Sequence, residues 1–217
     1  ILAEIHYSNG EKMIFTYSII ENSENTWLTT ARALKEQSLV KIDEAGGKMY
    51  GVWFPYFGLP VNSAVLMHLW PDELLNDAAG IAEETLQNFG NIAEVDTRLF
   101  LPTARPLDEN PPKDKGMYVH RWFEFNTSDV PEAVELSEKA WETFEDSFDS
   151  NIVGLFVEQP DNEGVANLLL LTWYKNFAAW EDSRNQEKDP KSWEIFSRRH
   201  QLTRRGLAYA TGLYLLD

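Results

Sequence analysis

The chain repeats a strand–loop–strand pattern at a distance of 103 residues, and this repeat limits the possible folds more than any other feature. The first copy reads GVWFPYFGLPVNSAVLMHLW and the second reads GLFVEQPDNEGVANLLLLTW. In each copy a glycine opens the first strand and a tryptophan closes the second; these are Gly51 and Trp70, then Gly154 and Trp173. An internal repeat on this scale predicts two similar structural units.

Each half of the chain carries the same order of predicted strands and helices. Runs rich in β-branched and aromatic residues indicate strands, and apolar residues three or four positions apart indicate helices. Both halves follow the order β-α-β-β-α-β, which is the plan of ferredoxin-like domains. We therefore predict an α+β chain with a first ferredoxin-like repeat over 1–104, a Pro-rich linker over 105–116 and a second repeat over 117–217.

Local signals place the individual elements. The strands of the first half are predicted at Met13–Ile20, Lys48–Phe57, Ala64–Trp70 and Glu94–Leu101. Its first helix follows from the apolar spacing that starts at Trp27 and ends at Gly46, and its second begins at Pro71. The second helix is predicted to bury Leu74, Leu75, Ala78, Ala82 and Phe89. In the second half, Asp189-Pro190 predicts the start of an additional helix before the last strand.

Two predicted strands are apolar on both of their faces, Ala64–Trp70 and Ala166–Trp173. A sheet with one face in water alternates between apolar and polar residues, so these strands are expected to be covered on both sides. The helices of each half cover one side. We expect the sheet of the other half to cover the second side, which would complete an α+β barrel within one chain and leave further homodimerisation open.

Composition excludes several classes of partner. The formal net charge of −16 opposes nucleic acid or an anionic membrane surface as a partner. No apolar run reaches the roughly 20 residues that span a bilayer. The chain has no cysteine, which excludes disulfides and thiolate metal sites. The start at Ile1 fits removal of a signal peptide as well as a cytoplasmic protein, so the compartment stays open.

The hairpin motifs resemble a known family. Gly51-Val52-Trp53 paired with His68-Leu69-Trp70 before a helix, and the later segment AAWEDSRNQEKDPKSW, are similar to the NIPSNAP branch of the dimeric α+β barrel superfamily. The likeness in plan covers nearly the whole chain, here as a tandem repeat. It implies a barrel, in a superfamily that includes small monooxygenases, haem-degrading enzymes and proteins that only bind. It implies no catalytic residue, because the family has no agreed reaction.

One strand of the second half carries the most prominent candidate site residues. In the segment MYVHRWFEF, the alternation of a strand puts Tyr118, His120 and Trp122 on one face, whereas Arg121 lies on the opposite, more aliphatic face. If the aliphatic face meets the helices, the three named side chains point to the space between the two sheets. Large aromatic and polar residues together are typical of a ligand cavity. The alternative is a solid barrel core that leaves no room for a ligand.

The first strand of the first half is predicted to present its polar face to the same space. Thr16 and Ser18 alternate with Met13, Phe15 and Ile19, which are apolar and are therefore expected to meet the helices. Without partners, such buried hydroxyl groups would cost about 1–3 kcal/mol each. We thus expect them to bond to each other, to water or to a ligand.

His68 is the other histidine of interest, in phase with Trp70 on an otherwise apolar strand. Such a histidine is most often a hydrogen-bonded core residue. The functional alternative is a general base or a haem ligand inside the cavity. The candidate ligand cavity therefore comprises Tyr118, His120, Trp122, Thr16, Ser18, His68 and Trp70.

A basic cluster near the end of the chain has a structural explanation. Arg198, Arg199, Arg204 and Arg205 precede Gly206, and cations close to a helix C-terminus are favoured by the helix dipole. A contact with an anionic partner remains the alternative reading of this cluster.

No catalytic motif stands out in the sequence. Paired-histidine metal motifs, a glycine-rich phosphate loop and a nucleophile elbow are all missing, so we predict neither a metal nor another cofactor, with haem as the remaining candidate. We accordingly predict a protein that binds a small molecule or a partner, with no identifiable reaction, and favour a binding role over an enzyme. The alternatives are a cofactor-poor monooxygenase or haem-handling enzyme that uses a histidine between the sheets, and a purely structural assembly protein.

Overall fold

The computed structural model describes residues 13–23, 34, 39–89, 91–159 and 164–214. The strands and helices of the first half are β1 (Met13–Asn22), α1 (Leu39–Glu44), β2 (Lys48–Phe57), β3 (Ser63–Pro71), α2 (Ala78–Gln87) and β4 (Ile92–Arg105). Those of the second half are β5 (Met117–Asn126), α3 (Val130–Ser147), β6 (Ser150–Gln159), β7 (Val165–Tyr174), α4 (Phe177–Asp182), α5 (Pro190–Leu202) and β8 (Arg205–Leu213). The predicted order β-α-β-β-α-β is confirmed for both halves; the start of the first predicted helix, at Trp27, lies outside the described residues.

The Cα positions divide the chain into two compact units. Of the described residues, those up to 101 together with 107–115 and 209–214 make up the N-terminal unit. Residues 102–106 and 116–208 make up the C-terminal unit. Strands β4 and β8 contribute to both units, because the boundaries between the units fall inside these strands.

The N-terminal unit is an antiparallel sheet with helices on one face. β1 pairs with both β3 and β4, and β2 pairs with β3 and with the end of β8. Helix α1 stops as predicted, and Gly46 just beyond it has the positive φ of 89° that glycine adopts most readily. The second helix differs from the prediction at its start, because Asp72–Leu74 forms a 3₁₀ turn before α2. This leaves Leu75 exposed, although Ala78 and Ala82 are buried as predicted.

The C-terminal unit repeats this plan with an additional helix. β7 pairs with both β5 and β6, and the long helix α3 buries Ala133, Ala140 and Phe144. The helix predicted at Asp189-Pro190 is confirmed as α5: Pro190 is its first residue, and the Asp189 side chain accepts a hydrogen bond from the Ser192 backbone N–H. Such a cap satisfies one of the donors that a helix N-terminus leaves open.

The two hairpins share an irregularity but differ in register. Between β2 and β3 the pairing shifts just before Gly51, and between β6 and β7 it shifts just before Gly154. Gly51 then pairs with Met67, three residues before Trp70, whereas Gly154 pairs with Leu171, three residues before Tyr174. The residue equivalent to Trp70 is therefore Tyr174. The predicted match of Trp70 with Trp173 is wrong by one position, since the paired residues Gly154 and Leu171 are one position further apart in sequence than Gly51 and Met67.

Strand β4 continues to Arg105, beyond its predicted end at Leu101. Its last residues belong to the C-terminal unit, where Thr103 donates a 2.8 Å hydrogen bond to the Leu155 carbonyl. Arg105 makes an ion pair of 2.7 Å with Glu145 of α3. These contacts hold the end of β4 in the C-terminal unit, so the strand continues past Pro102.

Candidate functional site

Thr16, His68 and Trp70 form a buried hydrogen-bonded group in the N-terminal unit. Thr16 and His68 are register partners on β1 and β3, and Thr16 Oγ1 lies 3.5 Å from His68 Nδ1, at the long limit for a hydrogen bond. Trp70 Nε1 donates to the same Thr16 oxygen at 2.9 Å. All three side chains are almost fully shielded from solvent. The hydroxyl of Thr16 thus accepts from the indole and has its own proton left for the imidazole.

This group faces the helices of its own unit, which corrects the predicted orientation of β1. Trp70 and Ile14 pack against Ile42 of α1 and against Ala78 and Ala82 of α2. Because side chains alternate along a strand, Thr16 and Ser18 lie on the same side as Ile14. The prediction that they point away from the helices is therefore wrong.

The polar residues of β1 are accommodated on the helix side because other strands satisfy them. Ser18 lies 2.9 Å from Thr97 on β4, hydroxyl to hydroxyl, and Thr16 is bonded to Trp70 as described. The opposite face of β1 holds large aromatic side chains, with Phe15 in an edge contact with Tyr50 at 5.0 Å between ring centroids. Both faces of this strand are thus buried, and hydrogen bonds satisfy the polar groups on the face that meets the helices.

His68 is neutral and incompletely bonded. Burial lowers the pKa of His68 to about 4, so the imidazole carries no charge at pH 7. Its Nε2 atom has no hydrogen-bond partner among the described residues. A buried nitrogen in this state costs about 1–3 kcal/mol unless water or a ligand reaches it.

Tyr118, His120 and Trp122 lie together on one face of β5 in the C-terminal unit, and all three are buried. Burial lowers the pKa of His120 to about 3, so this imidazole is also neutral at pH 7. Arg121, between His120 and Trp122 in sequence, lies on the helix side as predicted, where it donates hydrogen bonds to Thr172 and Tyr174. That Tyr118, His120 and Trp122 bind a ligand stays a prediction.

The C-terminal unit contains a pocket that the sequence did not reveal. It has a volume of about 530 Å³ and lies between one face of β5, β6 and β7 and the helices α3 and α5. Six aromatic side chains line it: Phe123, Trp141, Phe144, Tyr174, Trp193 and Phe196. Three arginines also line it, which are Arg121, Arg184 and Arg199, and we call this site the arginine pocket.

Arg199 of α5 is stacked between two aromatic rings of the pocket. Its guanidinium carbon lies 4.9 Å from the ring centroid of Phe123 and 5.0 Å from that of Phe196. Its Nη1 donates a hydrogen bond of 3.0 Å to Ser137 on α3. Stacking of this kind holds a guanidinium group over a ring face while its N–H groups remain available in the plane of the group.

The other two arginines of the pocket, Arg121 and Arg184, also lie over aromatic rings. Arg121 lies 5.7 Å from the Tyr174 ring centroid and donates hydrogen bonds to Thr172 Oγ1 at 3.3 Å and to Tyr174 Oη at 3.1 Å. Arg184, in the segment between α4 and α5, lies 5.3 Å from the ring centroid of Trp193. Aromatic packing therefore orients three positive charges toward one pocket.

The charges of these arginines are not balanced by acidic side chains. Among the residues that the structure describes, none of the three guanidinium groups has a carboxylate as an ion-pair partner. Burial, and secondly the charge of Arg121, lower the pKa of Arg199 to about 10. Burial and the same charge also lower the pKa of Arg184. The pocket is thus a region of positive potential in a strongly acidic protein.

The sequence assigned Arg199 to a basic cluster near a helix C-terminus and Arg121 to the helix-facing side of β5. The arginine pocket draws its residues from two helices, three strands and a connecting segment, which no local pattern relates. One signal was present in the sequence: Arg121 interrupts an otherwise apolar face of β5, and Arg199 follows Trp193 and Phe196 at helical spacing on α5. Only the packing of α5 on α3 brings them together.

Comparisons with known proteins establish the fold. No family model matches the chain, and no curated protein matches it in sequence. Several solved structures are similar, among them a ferredoxin fold protein related to antibiotic biosynthesis monooxygenases from Listeria monocytogenes, with 10% identity, a TM-score of 0.53, and coverage of 94% of this chain and 96% of that one.

Two further similar structures come from proteins described by their ligand or reaction. A mutant chlorite dismutase from Candidatus Nitrospira defluvii has 8% identity and a TM-score of 0.60, with 94% of this chain and 92% of that chain covered. A heme-binding protein from Thermus thermophilus has 12% identity and a TM-score of 0.52, with coverage of 95% and 92%. None of the described helices has the length and apolar character required to cross a membrane. At these identities the likeness shows that the chain has the ferredoxin-like α+β fold.

Proposed function

We propose that the protein binds a small organic molecule and that the ligand occupies the arginine pocket. The observation that carries this proposal is the pocket itself, with about 530 Å³ between a sheet and two helices. Ligand sites typically have volumes of about 300–1,000 Å³ and combine apolar walls with a few fixed polar groups. The aromatic lining and the stacked arginines supply both.

The contrast with the N-terminal unit supports the assignment of the ligand to the C-terminal unit. At the position of Tyr174, the N-terminal unit carries Trp70, whose ring contacts Ile42 of α1. Small residues of α2, namely Ala78 and Ala82, let that helix pack closely on the sheet. In the C-terminal unit, the helices α3 and α5 present large aromatic residues that frame the pocket.

Blocking the mouth of the pocket tests the proposal. Ser197 lines the pocket and is exposed, so Ser197→Trp places a large ring at its edge without displacing core residues. We expect this variant to weaken binding of the neutral fluorescent dye prodan by at least about tenfold. Ser147→Trp is the matched control, because Ser147 is also helical and exposed but does not line the pocket. Equal binding by both variants would refute the proposal.

A second candidate is a haem-handling function, which the unpaired nitrogen of His68 favours. Neutral imidazole is the form that ligates iron, and burial holds His68 in that form with one ring nitrogen unpaired. Haem would supply redox chemistry and oxygen chemistry, as it does in other proteins that hold it. His120 is the equivalent candidate in the C-terminal unit, because burial also keeps it neutral.

Titration with haemin distinguishes the two functions. If haem is held by one of these histidines, the Soret band should shift on addition of protein, and His68→Leu or His120→Leu should abolish the shift while Ser197→Trp leaves it unchanged. If Ser197→Trp abolishes the shift and both leucine variants retain it, haem belongs to the arginine pocket. A spectrum identical to that of free haemin would rule out haem as the ligand.

We also propose three features that the sequence indicates. These are a relationship to NIPSNAP proteins, a tandem origin of the two halves, and a ligand contact by Tyr118, His120 and Trp122. The shared register shift before Gly51 and Gly154 supports the tandem origin. A monooxygenase reaction without a cofactor remains the enzymatic alternative and would appear as oxygen consumption dependent on the ligand.

A further inference from the structure

We infer that the ligand of the arginine pocket is an aromatic organic acid, whose carboxylate binds the arginine guanidinium groups and whose ring packs on the aromatic lining. This inference rests on the proposed function and specifies the chemical class of the ligand. It follows from the hydrogen-bonding capacity, the charge and the apolar surface of the pocket.

The pocket has an excess of hydrogen-bond donors. Each guanidinium group has five N–H donors. Within the part of the chain that the structure describes, Arg199 and Arg184 each use one, to Ser137 and Ser183, and Arg121 uses two. The indole nitrogens of two lining residues, Trp141 and Trp193, also have no acceptor among the described residues. A ligand that accepts hydrogen bonds fits this surplus, and a carboxylate accepts several at once.

The pocket also has an uncompensated positive charge. Two acidic residues of α3, a helix that lines the pocket, are engaged by other cations: Glu132 pairs with Arg198 and Glu145 pairs with Arg105. The charge of Arg121 acts against protonation of the other two arginines of the pocket. An anion placed among them would remove this repulsion, whereas a neutral or cationic ligand would not.

An inorganic anion would contact the arginines of the pocket but would leave its aromatic lining without a partner. Aromatic rings contributed by β5, β7, α3 and α5 surround the guanidinium groups. Flat aromatic bodies pack against such rings by offset or edge contacts, with an energy beyond that of their buried area. A carboxylate attached to an aromatic ring system therefore matches both parts of the pocket.

A pair of probes that differ mainly in charge tests the inference. We would measure the binding of β-naphthoate and of the neutral β-naphthamide to the full chain by calorimetry near neutral pH. We expect the carboxylate to bind at least about tenfold more tightly than the amide, and this preference to shrink as salt is raised. Equal affinities would overturn the inference but leave the proposed function intact. Failure of both probes to bind would count against the proposed function as well.

Two neighbouring arginines of α5 provide a matched pair of variants. Arg199→Gln removes a charge from the pocket, whereas Arg198→Gln removes a charge from an exposed ion pair with Glu132. Only the first should lower the affinity for β-naphthoate, by about tenfold, while leaving the affinity for β-naphthamide nearly unchanged. The amide serves as a check that the pocket has kept its shape. An equal effect of both variants would show a general electrostatic attraction and overturn the inference.

Competition with inorganic phosphate tests the contribution of the aromatic body. We expect phosphate to displace β-naphthoate only at concentrations far above those of the probe. Displacement by phosphate at concentrations comparable to those of the probe would mean that the pocket is a simple anion site, and the inference of an aromatic acid would fail.

Discussion

Trp70 and Tyr174 occupy equivalent positions in the two units, and they serve different purposes there. Trp70 pairs with Ile14 on β1, and Tyr174 pairs with Met117 on β5. The indole of Trp70 contacts the helices and donates to Thr16, which lies within the same sheet. The phenol of Tyr174 instead accepts a hydrogen bond from Arg121 at the wall of the arginine pocket. The same position of a common plan thus carries a buried indole bonded within its own sheet in one unit and a wall residue of the arginine pocket in the other.

The hydrogen bond between Trp70 and Thr16 should contribute measurably to stability. Thr16→Val keeps the shape of the side chain but leaves the buried indole N–H without its acceptor. We expect a loss of about 1–3 kcal/mol in the free energy of unfolding, measured with urea. Ser23→Ala, which removes an exposed hydroxyl bonded to Asn91, is expected to change it by less than about 0.5 kcal/mol. Similar losses for both variants would contradict this account.

The two buried histidines should make the protein less stable in mild acid. Burial lowers the pKa of His68 from 6.5 to about 4 and that of His120 from 6.5 to about 3. Below pH 6.5 the unfolded chain therefore binds protons that the folded chain does not, so stability is complete above that pH and falls as the pH decreases toward the folded values.

The size of this effect can be measured by urea unfolding at pH 7 and pH 5. Each histidine should account for a loss of about 2 kcal/mol over this interval. His68→Gln and His120→Gln should each reduce the loss by that amount, whatever their effect on stability at pH 7. A loss that is the same in the variants as in the parent protein would show that other groups cause the acid sensitivity.

Glu145 is expected to anchor the end of β4 to helix α3. Its carboxylate accepts hydrogen bonds from Arg105 and from the Ile152 backbone N–H, and the pair is largely shielded from solvent. Glu145→Ala should destabilise the protein by about 1–3 kcal/mol, because it leaves the arginine and a backbone donor without their acceptor. Glu142→Ala removes an exposed carboxylate that is 3.6 Å from Lys191 and should have little effect. Thermal unfolding of the two variants would separate these outcomes.

Two glycines should respond in opposite directions to substitution by alanine. A Cβ atom at Gly51 would lie 2.3 Å from the ring of Trp53, which is fully buried and has little room to shift. Gly51→Ala should therefore destabilise the N-terminal unit. Gly80 lies inside α2, where a Cβ atom would meet nothing within 4 Å, so Gly80→Ala should stabilise the protein by about 0.5–1 kcal/mol. Chemical denaturation of both variants checks the sign of each change.

The order of strands and helices follows from the sequence by itself. Strand and helix periodicities, the glycine that ends α1 and the Asp189-Pro190 start of α5 are local signals, since each depends on residues adjacent in the chain. The helix-facing side of β5 was also predictable, because Phe123 continues an apolar alternation on that side and contacts α5 through Arg199. These features require no knowledge of distant contacts.

Only the tertiary structure decided the orientation of β1, the register of the second hairpin and the arginine pocket. Both faces of β1 are buried, so hydrophobicity could not choose between them. The hydroxyl of Thr16 lies on the helix side, where Trp70 donates a hydrogen bond to it. The pairing of Gly154 with Leu171, in place of Leu170, moves Tyr174 to the place of Trp70 without a local signal. Arg121 and Arg199 are far apart in sequence, and they share a pocket because α5 packs on α3 above the sheet. Each of these outcomes depends on side chains from separate elements satisfying one another, which no single stretch of sequence encodes.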